Sequence, residues 1–103
     1  MDDQVNKLFE QIEKWAADRK ILENSTAKAQ FLKTVEEMGE LSSALAKDDI
    51  EGVIDALGDV IVTLVIVARL LNLDLAQCIE EAYKVIKDRK GFLNEAGVFI
   101  RED

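Results

Sequence analysis

Apolar residues recur every three or four positions along most of this chain, the period of a helix laid against a core. Val5, Leu8, Phe9, Ile12, Trp15 and Ala16 mark a first helix over roughly residues 3 to 20. Asn24, Ser25 and Thr26 offer N-cap chemistry for a second helix running to about Lys47, and Asp48 and Asp49 for a third from about Ile50 to Asn72. Asp74 followed by Gln77 reads as a capping box for a fourth helix ending before Gly91. The remaining "FLNEAGVFIRED" mixes apolar residues with a turn at Ala96-Gly97 and reads as a short extended arm. There is no proline, repeat or linker, so the expectation is an all-α fold: one domain over residues 1–103, an up-and-down four-helix bundle with a C-terminal arm.

The second and third helices differ in their faces. On the second, Phe31, Val35, Met38, Leu41 and Leu45 form an apolar stripe, and Glu36, Glu37 and Glu40 occupy an arc of about 100° beside it. Glu37 falls next to Leu41, at the border of the expected core. Three acids within five residues repel one another unless a cation or water screens them. Apolar residues cover most of the third helix, the pattern of a helix buried on nearly all sides, yet Asp55, Asp59 and Thr63 form one polar line at four-residue spacing. A cap or solvent accounts for Asp55 near the helix start. Asp59 calls for a metal or a buried partner, because an ionised carboxylate taken out of water costs several kcal/mol unless paired or bound.

Composition narrows the chemistry. The chain contains no histidine, which removes Ser-His-Asp and Cys-His catalysis, histidine zinc sites and the Glu-x-x-His pairs of di-iron bundles. Cys78, the single cysteine, allows no intrachain disulfide and reads as a small core residue. A net charge of -8 argues against direct nucleic-acid binding. The acidic start "MDDQVNKLFE" lacks the order of a secretory signal. The longest apolar run, residues 60–68, falls far short of the roughly 20 residues that span a bilayer. A cytoplasmic protein with no membrane partner is expected. Joining the two acidic lines across a helix pair gives an oxygen-only cage suited to Mg²⁺ or Mn²⁺, whose usual partner is a phosphate. Metals between protein and ligand would let an acidic chain hold an acidic nucleotide. Lys84, Lys87, Arg89 and Lys90 then read either as phosphate contacts or as charges that meet the helix dipole.

"EEMGE", Glu36 to Glu40, followed by "LGDVI", Leu57 to Ile61, resembles the paired EExxE and ExxD signature of the MazG-like all-α nucleoside triphosphate pyrophosphatases, and the resemblance extends from about Trp15 to Arg89. It implies a Mg²⁺-dependent enzyme that cleaves between the α and β phosphates of a nucleoside triphosphate, giving monophosphate and pyrophosphate. Carried over by position, Glu37, Glu40 and Asp59 would be metal ligands, and Glu36 would bind a further metal or orient the attacking water. Lys84 and Arg89 resemble the phosphate-binding positions of the last helix, where Asp88 stands in place of a common asparagine. Trp15 would line a base pocket or belong to the core. Family members are usually dimers or tetramers with sites between subunits, so a homodimer or homotetramer is implied. Ala56 stands where the ExxD glutamate is expected, one residue after Asp55, and Asp55 is the carboxylate placed to serve instead. Two rivals follow from this departure and from the apolar third helix: a catalytically silent nucleotide-binding or regulatory protein, and a structural helical oligomerisation module. Nucleotide-pool cleansing, dUTP or dCTP removal and a phage or mobile-element role are all compatible with this reading.

Overall fold

Three residues in left-handed backbone conformation, Lys20, Asp48 and Asn72 (φ 65°, 55° and 59°), follow the ends of the three N-terminal long helices. The fold, a computed structural model, is described over residues 3–102; Met1, Asp2 and Asp103 lie outside the described residues. It runs α1 (Asp3–Asp18), α2 (Ile21–Asn24), α3 (Ala27–Ala46), α4 (Ile50–Leu70) and α5 (Leu75–Ile86), then strands β1 (Gly91–Leu93) and β2 (Phe99–Arg101). The four expected helices are thus α1, α3, α4 and α5, and α2 is an additional single turn. Capping explains the starts. Thr26 Oγ1 accepts from the Ala29 N–H at 3.1 Å, Asp49 Oδ1 from Gly52 at 3.1 Å, and Asp74 Oδ1 from Ala76 at 3.0 Å.

The expected arm is an antiparallel β-hairpin pairing Gly91 with Arg101, Phe92 with Ile100 and Leu93 with Phe99. Its turn is organised by Asn94, whose Oδ1 accepts from the N–H groups of Ala96 (2.9 Å) and Val98 (3.0 Å) while Gly97 adopts φ 80°.

Antiparallel α3 and α4 form the central pair, α1 lies along α4, α2 bridges α1 and α4, and α5 makes its packing contact with α4. The core is thin and made of small residues. Ala16, Ala44, Ala56, Val65, Ile66, Ala68 and Ala76 are its buried apolar members, joined by Thr34 and Thr63. Three expectations are corrected here. The α3 stripe is not the chain's own core, since Phe31, Val35, Met38 and Leu45 are all about half exposed. Helix α4 is not buried on nearly all sides, for Ile54 and Leu57 are 66% and 51% exposed. Cys78 is exposed rather than packed inside. The physical reason is the same throughout: α3 and α4 meet along small side chains, which lets the backbones approach and leaves the bulky stripes outside. Among the described residues, one chain does not make the ring of helix contacts that closes a four-helix bundle.

The dimensions agree. The radius of gyration is 16.1 Å and the extents are 46 × 34 × 27 Å, against about 13 Å for a compact chain of this length. The accessible surface is 7894 Å², about 2,000 Å² more than the roughly 5,800 Å² of a compact monomer of this mass.

The close approach of α3 and α4 yields a stability test. A Cβ on Gly52 would lie 2.6 Å from Asp49 Oδ2 and 3.2 Å from Ala44 Cβ, whereas one on Gly58 would meet nothing within 4 Å. Gly52→Ala should therefore destabilise by about 1–2 kcal/mol, by disturbing the Asp49 cap and spreading the helices. Gly58→Ala should stabilise by about 0.5–1 kcal/mol through helix propensity alone. Urea denaturation of the two variants checks the opposite signs.

Candidate active site

The register of α3 on α4 sets the geometry. Thr34 and Thr63 are buried and opposed, with Thr34 Oγ1 donating to Thr63 Oγ1 at 2.9 Å and Thr63 Oγ1 donating to the Val60 carbonyl at 2.8 Å. One turn further along α3 and one turn back along α4, Glu37 comes under the charge of Asp59. Two turns beyond that, Ala44 meets Gly52. The contact line thus advances three or four residues on α3 for every three or four it retreats on α4, and Glu37 and Asp59 both fall on it. On a helix wheel the acids of α3 flank this line on one side and the exposed apolar stripe flanks it on the other, about a quarter-turn round.

Glu36, Glu37 and Glu40 each present a carboxylate oxygen within 4.8 Å of the others. Glu37 is half-buried, and its Oε2 has neither solvent contact nor a hydrogen-bond partner. Its carboxyl is held above the usual value of 4.5, first by a hydrogen bond with Glu40, then by burial, then by the charges of Glu40 and Asp59; the Lys33 ammonium works in the opposite direction. Lys33 also pairs with exposed Glu36 at 3.3 Å, a surface contact of small energetic weight. Asp59 is half-buried rather than sealed inside and stands across the seam, outside the tight set of three. Asp55 is exposed and shares a shallow pocket with Glu40, Ser43, Ala44, Lys47, Asp49, Gly52 and Ala56. The acids of the two helices therefore fall on one side of the α3–α4 pair, Asp59 near Glu37 and Asp55 in the pocket it shares with Glu40.

The other expected residues are not brought to these acids. Helix α5 ends at Ile86, so Arg89 lies beyond it, half-buried, with its backbone N–H bonded to the Ile86 carbonyl. Lys84 is exposed and pairs with Glu81 at 3.3 Å. Neither Lys84 nor Arg89 forms an ion pair with the acidic cluster among the described residues. Trp15 is 46% exposed, with the Arg19 guanidinium 5.7 Å from its ring centre; its neighbour Ala16 is the buried residue of α1. A groove larger than the Asp55 pocket lies elsewhere, between α1 and the end of α4, lined by Lys7, Glu10, Arg69 and Asp74 among others. Sequence reasoning missed Thr34 and Lys33, and the signal available was the small-residue spacing Thr34, Ala44, Gly52, Ala56 and Thr63 along the two helices.

The donor set fits a hard divalent cation. It is made of oxygen alone, its three carboxylates outnumber the one ammonium, that of Lys33, paired with them among the described residues, and it contains a buried carboxylate oxygen with no partner.

Comparison with known proteins bears on the same residues. The sequence model of the MazG nucleotide pyrophosphohydrolase domain matches residues 25–91, a span that holds every acid of the cluster. Over 70 residues the chain is 41% identical to an uncharacterised 18.2 kDa protein of the rep-hol intergenic region of Haemophilus phage HP1 (strain HP1c1). That similarity covers 68% of this chain and 43% of the relative, so the chain spans less than half the length of the relative it matches. No solved structure gives a significant match.

The raised carboxyl of Glu37 predicts a pH dependence. In a chelator the folded chain keeps this proton where the unfolded chain has lost it, so the cation-free protein loses stability as pH rises from about 4.5 through the raised folded value. Glu37→Gln should remove that component and flatten the profile. Urea midpoints measured across pH for both proteins provide the check, and parallel profiles would show that Glu37 is not strained by its neighbours.

Proposed function

The chain belongs to the MazG nucleotide pyrophosphohydrolase family, and from that membership we propose that it is a Mg²⁺-dependent nucleoside triphosphate pyrophosphohydrolase, with Mn²⁺ as a substitute. Water attacks the α-phosphorus, the bond to the α–β bridging oxygen breaks, and monophosphate and pyrophosphate leave. The observation that carries this reading is the half-buried Glu37, with its unpartnered oxygen, among carboxylates from two helices.

Glu37, Glu40 and Asp59 would hold the cation, with Asp55 as a fourth carboxylate beside Glu40. When bound, it neutralises the triphosphate and polarises the α-phosphorus. Glu36, on the solvent side of the same cluster, orients the attacking water by accepting its hydrogen bond, or holds a second cation. Lys84 and Arg89 would meet phosphate oxygens, and because neither pairs with the acidic cluster of its own chain among the described residues, they would do so from a second protomer. A homodimer or homotetramer is supported by the elongated shape and by the half-exposed apolar stripe of α3. Trp15, 46% exposed with the Arg19 guanidinium beside its ring, would be free to line a base pocket. No helix among the described residues is long and apolar enough to cross a membrane. A second reading, a nucleotide-binding protein without turnover, is favoured by one observation: Ala56 is a buried seam residue where the resemblance calls for a glutamate.

Incubation with canonical and modified nucleoside triphosphates, with Mg²⁺ or Mn²⁺, should release pyrophosphate in a single step. Orthophosphate as the primary product would contradict the assignment, and metal binding without cleavage of any nucleotide would select the second reading. By calorimetry, Glu40→Gln and Asp55→Asn should each weaken Mg²⁺ binding by at least about tenfold, or about 1.4 kcal/mol. Unchanged affinity in both, with native circular dichroism, would dissolve the proposed site.

A further inference from the structure

Among the described residues the buried polar side chains are Thr34 and Thr63, 1% and 8% exposed, and they face each other from α3 and α4. The seam they share continues in alanine and glycine, at Ala44, Gly52 and Ala56. Apolar contact between such small residues is close but non-directional, so it resists sliding and rolling weakly. A hydrogen bond is directional and weakens steeply once its angle falls below about 120°. The threonine pair is therefore the part of the seam that distinguishes one register from its neighbours.

The link is anchored at both ends. Thr63 Oγ1 donates to the Val60 carbonyl at 2.8 Å, a bond back to its own helix that holds the hydroxyl in one rotamer, and Thr34 Oγ1 donates to that same oxygen at 2.9 Å. Two hydrogen bonds thus connect a side chain of α3 to the backbone of α4. Glu37 follows Thr34 by three residues and Asp59 precedes Thr63 by four, each on the helix face of its threonine. The acids stand one turn from this pin, so any slide or roll at the seam passes directly into the gap between their carboxylates.

A fixed gap suits some ions better than others. Mg²⁺ demands near-octahedral oxygens at about 2.0–2.1 Å, whereas Ca²⁺ accepts six to eight at about 2.3–2.6 Å in flexible arrangements. Carboxylates on a loose seam adapt to the larger ion and lose the smaller one. Valine has nearly the shape of threonine, and replacing both partners of a buried hydrogen bond by apolar groups of the same shape is close to neutral for stability. Packing alone therefore gives little reason for two hydroxyls at this point.

We propose that the Thr34–Thr63 hydrogen bond is a positioning device that sets ion choice at the acidic site, favouring a small octahedral cation over a larger, more permissive one. It rests on the cation site proposed above. Mg²⁺ and Ca²⁺ affinities are measured by calorimetry, without nucleotide, on the unaltered chain, on Thr34→Ser and on the double variant Thr34→Val with Thr63→Val, and urea midpoints and circular dichroism are recorded for each. The double variant should stay folded with a midpoint near that of the unaltered chain, because no polar group is stranded. Its Mg²⁺ affinity should fall by about tenfold or more and its Ca²⁺ affinity by less than about threefold. Thr34→Ser keeps the hydroxyl and should keep the unaltered ratio of the two affinities. If the double variant does not fold, Thr34→Val alone, which leaves the bond from Thr63 to Val60 in place, carries the same comparison. An unaltered chain that binds neither ion overturns the cation site and the ion choice together. A chain that binds them, with a folded valine variant whose ratio is unchanged, overturns the ion choice alone, whether both affinities are kept or both fall in step.

Discussion

The buried hydrogen bond between Thr34 and Thr63 fixes the seam on which the rest of the molecule depends. It joins the two central helices across their buried seam, and the second hydroxyl passes its own hydrogen on to the Val60 carbonyl, so neither is left unsatisfied. Removing one partner would strand a buried polar group at a cost of about 1–3 kcal/mol. The bond also selects a register. A slip of one helical turn, about 5.4 Å, would separate both the threonine pair and the acids Glu37 and Asp59, which sit one turn away on the same line. The small residues Ala44, Gly52 and Ala56 continue the seam and let the backbones come close enough for carboxylates of both helices to share one space.

That arrangement puts stability and function in opposition. Glu37 is pushed toward its protonated form because neighbouring carboxylates and partial burial disfavour its charge. A fold selected for stability alone would place an apolar residue there. A cation would supply the partner that Glu37 lacks, which sets this site apart from the surface charge pairs, all exposed and weak.

Helix starts were legible in the sequence because capping is local: Thr26, Asp49 and Asp74 sit directly before the helices they cap. The acids of α3 and α4 were legible for a similar reason, since their spacing places them on helix faces whatever packs nearby. Which apolar face forms the chain's own core was not. Periodicity marks Phe31, Val35, Met38 and Leu45 as a stripe, but it carries no information on whether the covering surface belongs to the same chain, and a seam of alanine, glycine and threonine gives almost no hydrophobic signal. Cys78 and the core reading of Trp15 failed through the same gap, because α1 and α5 cover less of α4 than a closed bundle would. The end of α5 before Arg89 follows from the turn after Ile86, where no glycine or proline marks the boundary.

The central claim is that Glu37 of α3 and Asp59 of α4 in one chain serve one cation. A double-mutant cycle on Mn²⁺ affinity, with Glu37→Gln, Asp59→Asn and the pair together, tests it most directly. Two ligands of one ion should be strongly non-additive: each single change removes most of the affinity and the second adds little to the loss. Losses that simply add, or a single change that leaves affinity intact in a folded protein, would show that the two carboxylates do not share an ion and would contradict the account.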